Sequence, residues 1–231
     1  MIPEGLITYS DADLERKARE LFRRRPHIPL SVPIKIKRLV EHEVDVCLKF
    51  YNGLRATFGI EGAVGKGFMT RTRFVCVDAT FLNRPWPEYS AVLAEEFSHI
   101  HLHPALVQMV NDIEDFIAIQ GDPQWPRFER DAKSFSLAIR IPLELLIPLA
   151  ETTYERLVDE HGFGDLSRIQ KLLRHELATI FRVPPEDMQR RLAQSTCGIN
   201  RRVAASVVIA SLALQPSDGS AISTPLDQRS P

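Results

Sequence analysis

Apolar residues first recur at Leu14, Ala18, Leu21 and Phe22, the spacing of one helix face. Ser10 can cap this helix, and Asp11, Asp13 and Glu15 favour its positive end. It closes in Arg23-Arg24-Arg25, cations suited to a helix C-terminus, before Pro26. Pro29 to Pro33 reads as a linker, Ile34 to His42 as a second helix, and Val44 to Phe50 as a strand through the alternation of Val44, Val46 and Leu48. Asn52-Gly53 and the glycines from Gly59 to Gly67 predict turns and a glycine-rich β-connection, and Phe74 to Val77 a compact strand. Asn83 to Pro87 reads as a loop before a central helix. Beyond Pro104, Ala105 to Ile119 mixes apolar residues with Asp112, Glu114 and Asp115, which suit a divalent-ion site or a solvated face equally well. Gly121 to Pro126 breaks the chain, and Arg127 to Ile139 is helical through Phe128, Ala132, Phe135 and Ala138. Pro142 is expected to end that helix and Pro148 to interrupt the next apolar stretch. Thr152 to Glu160, Leu166 to Phe181 and a segment opened by Pro184-Pro185-Glu186 complete the helices. Val203 to Leu214 predicts a buried helix or strand, and residues 215–231 a flexible tail.

Short β-elements followed by helices predict an α+β fold. The expected organisation is an N-terminal helix and linker over residues 1–33, a main domain over 34–148, a helical C-terminal subdomain over 149–214 and the tail. A net charge of −1 gives no global field for nucleic acid or anionic membrane. Cys47, Cys76 and Cys197 are an odd, widely spaced set, which argues against a disulfide framework and suits a reducing compartment. The charged stretch after Met1 predicts no signal peptide, and the longest apolar run is shorter than the roughly 20 residues of a bilayer span. A cytoplasmic location is expected. A trace of a helix-turn-helix module over Leu166 to Leu192, with Arg168, Lys171, Arg174, Arg190 and Arg191, offers DNA reading as a distant alternative, and direct nucleic-acid binding is not expected.

The candidate chemistry lies in Leu93-Ala94-Glu95-Glu96-Phe97-Ser98-His99-Ile100-His101-Leu102-His103, which holds three of the seven histidines. At about 100° per residue, Leu93, Ala94, Phe97, Ile100 and His101 share one arc, while Glu95, Glu96, His99 and His103 share another. Metal hydrolysis needs two or three protein ligands, an open position for water and a carboxylate to receive its proton. His99 is the strongest ligand candidate, Glu95 lies one turn earlier, Glu129 supplies a distal carboxylate, and Glu96 stands in the general-base position. A second arrangement replaces Glu95 with His103, four residues after His99; His103 otherwise serves to orient the ligands or to cap the helix end. His101, on the apolar arc, reads as structural.

The segment Leu93 to His99 resembles the His-Glu-x-x-His motif of the ImmA/IrrE family of zinc metallopeptidase-like proteins, with Glu95 in place of the first histidine. Glu129-Arg130-Asp131-Ala132-Lys133-Ser134-Phe135 is similar to the family's downstream Glu-x-x-Ala-x-x-Phe helix, and Ile141-Pro142 to the ending of that helix. Leu177 to Leu192 resembles the helical C-terminal portion, so the likeness runs from about Ile34 to Leu192. The resemblance implies a compact zincin-like domain with a small β-sheet followed by helices, Glu96 as the catalytic glutamate, and His99 and Glu129 as zinc ligands. It also implies proteolysis or antagonism of a transcriptional regulator, in mobile-element control or stress responses, with a protein substrate or regulatory protein as partner. Zn2+ is the expected metal. Glu95 departs from the motif: a carboxylate ligand neutralises metal charge, leaves the bound water less acidic and favours a harder ion such as Mn2+. A metal-free, non-catalytic relative that binds a regulatory partner is the main alternative.

Overall fold

A computed structural model describes residues 8–67, 72–162, 165–194 and 196–198. Arg201-Arg202, the Val203 to Leu214 run and the 215–231 tail lie outside these residues. The described chain is mixed α+β and mostly helical, with ten α-helices, a 3-10 turn and one three-stranded sheet.

Helix α1 (Asp11–Arg23) is capped as its sequence predicts: the Ser10 hydroxyl accepts from the Asp13 amide, and the Asp13 carboxylate accepts from the Ser10 amide. Leu14, Ala18 and Leu21 bury against the core, so α1 packs on the molecule's central helices. Helix α2 (Ile36–Glu41) leads into strand β1 (Val46–Tyr51), then helix α3 (Leu54–Phe58), strand β2 (Gly62–Lys66) and strand β3 (Arg73–Asp78). The sheet order is β1-β3-β2, with β1 parallel and β2 antiparallel to β3; Val75 pairs with Leu48 on one side and Val64 on the other.

Strand β2 corrects an expectation. Its Gly-Ala-Val-Gly sequence reads as a β-connection, yet it is a buried strand. The glycines are needed for close approach: a Cβ on Gly65 would lie 2.6 Å from the Phe74 ring and from the Val110 carbonyl oxygen. A 3-10 turn (Ala79–Asn83) follows β3, nucleated by Asp78, whose carboxylate accepts from the Thr80 amide and hydroxyl and from the Arg55 amide.

Helix α4 (Trp86–Leu102) starts on Pro87 within its first turn, where a missing N–H costs nothing, so Trp86 and Pro87 belong to the helix rather than to the expected loop. After α5 (Pro104–Val107), α6 (Ile113–Gln120) is capped by Asp112, which accepts from the Asp115 amide, while Asp115 accepts from the Asn111 amide. These contacts make Asp112 and Asp115 helix-start residues. Helix α7 (Trp125–Arg140) packs along α4. Helix α8 (Leu143–His161) runs straight through Pro148, contrary to the expected interruption. The loss of one helical hydrogen bond is offset there by burial of Leu146, Ala150, Tyr154 and Leu157 on a continuous stripe. Helices α9 (Leu166–Phe181) and α10 (Pro185–Ala193) close the fold.

Two hydrophobic clusters result. The first joins α1, α2, the sheet and α4 to α7; the second joins the end of α7 to α8, α9 and α10. A buried ionic network ties α10 back: the Arg191 guanidinium donates to Glu15 of α1, to the Ile141 carbonyl at 2.9 Å and to Gln194, while Arg140 donates to Asp187 at 2.7 Å. Arg191 is fully buried, so one of the cations that suggested a DNA-reading helix is structural. No helix among the described residues is long and apolar enough to cross a membrane.

Candidate functional site

Helix α4 is buried on both arcs. Leu93, Ala94, Phe97 and Ile100 enter the first hydrophobic core, as the periodicity predicts. The polar arc is covered as well, by α7 and β2, so Glu96, His99 and His103 are buried and only Glu95 keeps partial exposure.

His99 is the centre of this arc. Its ring stacks on Trp125 with centroids 5.3 Å apart and planes 10° apart. Its Nε2 lies 3.3 Å from Glu129 Oε1, and its Nδ1 lies 3.0 Å from Nδ1 of His103. The predicted ligands His99 and Glu129 are therefore adjacent in space, although 30 residues separate them in the chain. Glu95 joins them through Lys133, whose Nζ lies within 4 Å of both the Glu95 and the Glu129 carboxylates. Burial and the Glu129 charge push the Glu95 carboxyl up; Glu129 is itself held down, because His99 and Lys133 outweigh the burial that would raise it. The pair shares its protons unequally, with Glu95 the more readily protonated.

Glu96 points to β2. A Cβ on Gly62 would fall 2.6 Å from Glu96 Cγ and Oε1, so the missing side chain is what lets the carboxyl lie there. Burial first, then the Glu95 and Glu129 charges, raise the Glu96 carboxyl well above the ordinary range, and its Oε2 is buried without a hydrogen-bond partner. His103 sits edge-on to Phe128 with centroids 4.9 Å apart. Burial, then the His99 charge, lowers it to about 3, which keeps the imidazole neutral, and its Nε2 is likewise without a partner.

The two imidazoles constrain each other's tautomers. With His99 neutral and Nε2–H donating to Glu129, Nδ1 must accept from the Nδ1–H of His103. For Nε2 of His99 to act as a metal donor, the proton must sit on Nδ1 and point at His103 Nδ1. His103 then carries its proton on Nε2, the atom that now lacks a partner. His103 is thereby placed where it can orient the His99 ring. His101 packs edge-on to Phe97, and its Nε2 lies 3.3 Å from Glu43 Oε2, in a cluster where Glu43 also pairs with Arg25 and Arg73.

Three residues of the site escaped the sequence reading. Lys133, half-exposed, places Nζ 3.0 Å from Glu129 Oε2 and 3.6 Å from Glu95 Oε1. Trp125 and Gly62 are the others. Trp125 lies four residues before Glu129 and Lys133 four after, so all three share one face of α7, a signal present in the sequence. Gly62 gives no such sign, because its role depends on the approach of α4 to β2. As the side chains are placed, among the described residues no three His, Cys, Asp or Glu groups stand ready to hold a metal ion; an ammonium group lies between two of the carboxylates.

Beside the cluster opens a cleft of about 380 Å³ lined by residues that include Glu61, Arg84, Glu88, Glu95, Lys133 and Arg190. On the other side of Lys133, a broader depression of about 750 Å³ runs over Trp125, Glu129 and Gln194. Compared with models of known families, with curated proteins and with solved structures, the chain matches none.

Proposed function

We propose that this chain is a metallopeptidase-like protein of the ImmA/IrrE type with a zincin-like main domain, acting on a polypeptide held in the cleft beside α4, α7 and α10. One observation carries the reading: Glu95, Glu96, His99 and Glu129, drawn from two helices, form a single cluster, with Glu96 and His99 buried and Glu95 and Glu129 half-buried, whose centre is the 3.3 Å approach of His99 to Glu129. Unrelated packing has no need to concentrate three carboxylates and an imidazole, since burying such groups is costly.

The residues present fit a divalent cation by their chemistry. The donors are an imidazole nitrogen and carboxylate oxygens, the sets that zinc and manganese accept. Glu96 Oε2 and His103 Nε2 are buried without partners, and Lys133 stands where positive charge is wanted. His99 and Glu129 would hold the metal with Glu95 as third ligand, and zinc is preferred over manganese for its affinity to imidazole. A bound ion would supply Lewis acidity, polarising a peptide carbonyl and acidifying water. Glu96 takes the proton of the attacking water and returns it to the departing amine. Trp125 fixes the plane of His99, and His103 fixes its tautomer. The mixed signs of Glu61, Arg84, Glu88 and Arg190 suit a polypeptide of mixed charge, such as a segment of a regulatory protein, over a polyanion.

A second reading has its own observation. Lys133 already bridges Glu95 and Glu129, which favours a non-catalytic relative that binds a regulatory partner through the same cleft. The full chain loaded with zinc or manganese and given fluorescein-labelled casein separates the two. Peptide release that falls about 100-fold or more in Glu96→Gln, at unchanged metal content, is expected. Equal release by the variant removes Glu96 as the base, and metal binding without release favours the non-catalytic relative.

A further inference from the structure

The sequence resemblance accounts for Glu96, His99 and Glu129, but it leaves unexplained how a site with an added carboxylate at Glu95 balances its charge. Glu95, Glu96 and Glu129 are electrostatic neighbours, and Glu96 is more than nine-tenths buried with Oε2 unpartnered. His99 Nε2 lies 3.3 Å from Glu129 Oε1, and His103 Nδ1 faces His99 rather than a carboxylate. The cation in contact with both Glu95 and Glu129 is Lys133, at 3.6 Å and 3.0 Å.

Resting on the metal-site reading above, we propose that Lys133 is the built-in counter-ion of this site, and that its ammonium competes with divalent metal for the space between Glu95 and Glu129. An ammonium and a divalent ion cannot both occupy that space, because their like charges repel within a few ångströms. Lys133 has the means to yield. Its side chain is half-exposed, and it borders both the 380 Å³ cleft and the 750 Å³ depression, either of which receives it when it swings away. Glu95 and Lys133 form one device: the carboxylate that departs from the family motif is the partner that draws the ammonium in. Metal occupancy is then set by Lys133, and a polypeptide that pairs with the ammonium from the cleft side favours loading by removing the competitor.

The test measures Zn2+ and Mn2+ affinity of the full chain by competition with a chromophoric chelator, and melting temperature in excess chelator. Lys133→Met is expected to bind metal at least tenfold more tightly than the wild type. In chelator it melts lower, because the carboxylates lose their counter-ion. Lys133→Arg, which keeps the charge, stays within threefold of the wild-type affinity. Lys133→Gln carries the same expectation as Lys133→Met and serves if the latter misfolds. Equal affinity of wild type and Lys133→Met overturns the competition and leaves the metal site standing. If neither chain binds either ion at millimolar concentration, the metal-site reading and the competition fall together.

Discussion

At Gly62 the absent side chain decides where Glu96 can lie. A methyl group there would press to 2.6 Å on Glu96 Cγ and Oε1, and the carboxyl is enclosed by β2 and α4 with little room to turn. Gly62→Ala is expected to destabilise the fold by about 1–3 kcal/mol, the usual cost of overpacking a filled site. It should also displace Glu96 and reduce casein cleavage at least tenfold. Urea denaturation and the cleavage assay check the two parts; a variant with wild-type stability and activity would show that Glu96 is not clamped against β2. The same residue marks a limit of sequence reading. The Glu-to-Lys spacing of Glu129 and Lys133 is visible in the chain, but it is the spacing of ordinary surface pairs, and only the approach of Glu95 from α4 turns it into part of a site.

Helices were read more faithfully than strands, for physical reasons. Helix α4 shows its inward arc in the spacing of Leu93, Phe97 and Ile100, and α7 shows Phe128, Ala132 and Phe135 in the same way. Strand β2 has almost no side chains with which to show a period, since Gly62 and Gly65 were required by close packing. The continuity of α8 through Pro148 depends on its buried stripe, a tertiary effect that overrides the local penalty. One basic residue of α10 shows the same effect: Arg191 is drawn inward by a partner in α1, far away in sequence. That pairing can be tested. Glu15→Gln removes the charge opposite a fully buried guanidinium and is expected to cost about 3–5 kcal/mol. A shift of the denaturation midpoint corresponding to less than 1 kcal/mol would show that the Ile141 carbonyl and Gln194 suffice for Arg191.

Taken as a whole, the molecule divides its interior in two, and α7 belongs to both parts. Phe128, Phe135, Ala138 and Ile139 lie in the first cluster and Leu137 in the second. The same helix contributes Trp125, Glu129 and Lys133 to the site, so the candidate chemistry sits where α7 packs on α4. The cleft beside it includes residues of α10, among them Asp187 and Arg190, and α10 is anchored to α1 and α7 by Arg191 and by the Arg140–Asp187 pair. The helical C-terminal portion thereby helps to shape the surface that a polypeptide would meet. This division of labour explains why the ligand candidates were legible from motif spacing while the cleft was not: its walls come from distant segments that no local pattern brings together.

In the proposed site Glu95, His99 and Glu129 would hold the metal, and Lys133 holds the cation position in the metal-free protein. A crystal of the full chain soaked in zinc and measured at the zinc absorption edge tests it most directly. One anomalous peak is expected in contact with His99 Nε2 and the Glu129 carboxylate, with Glu95 as third ligand and the Lys133 ammonium moved out toward the cleft. A peak elsewhere, or none at saturating zinc with Lys133 still bridging Glu95 and Glu129, would contradict it.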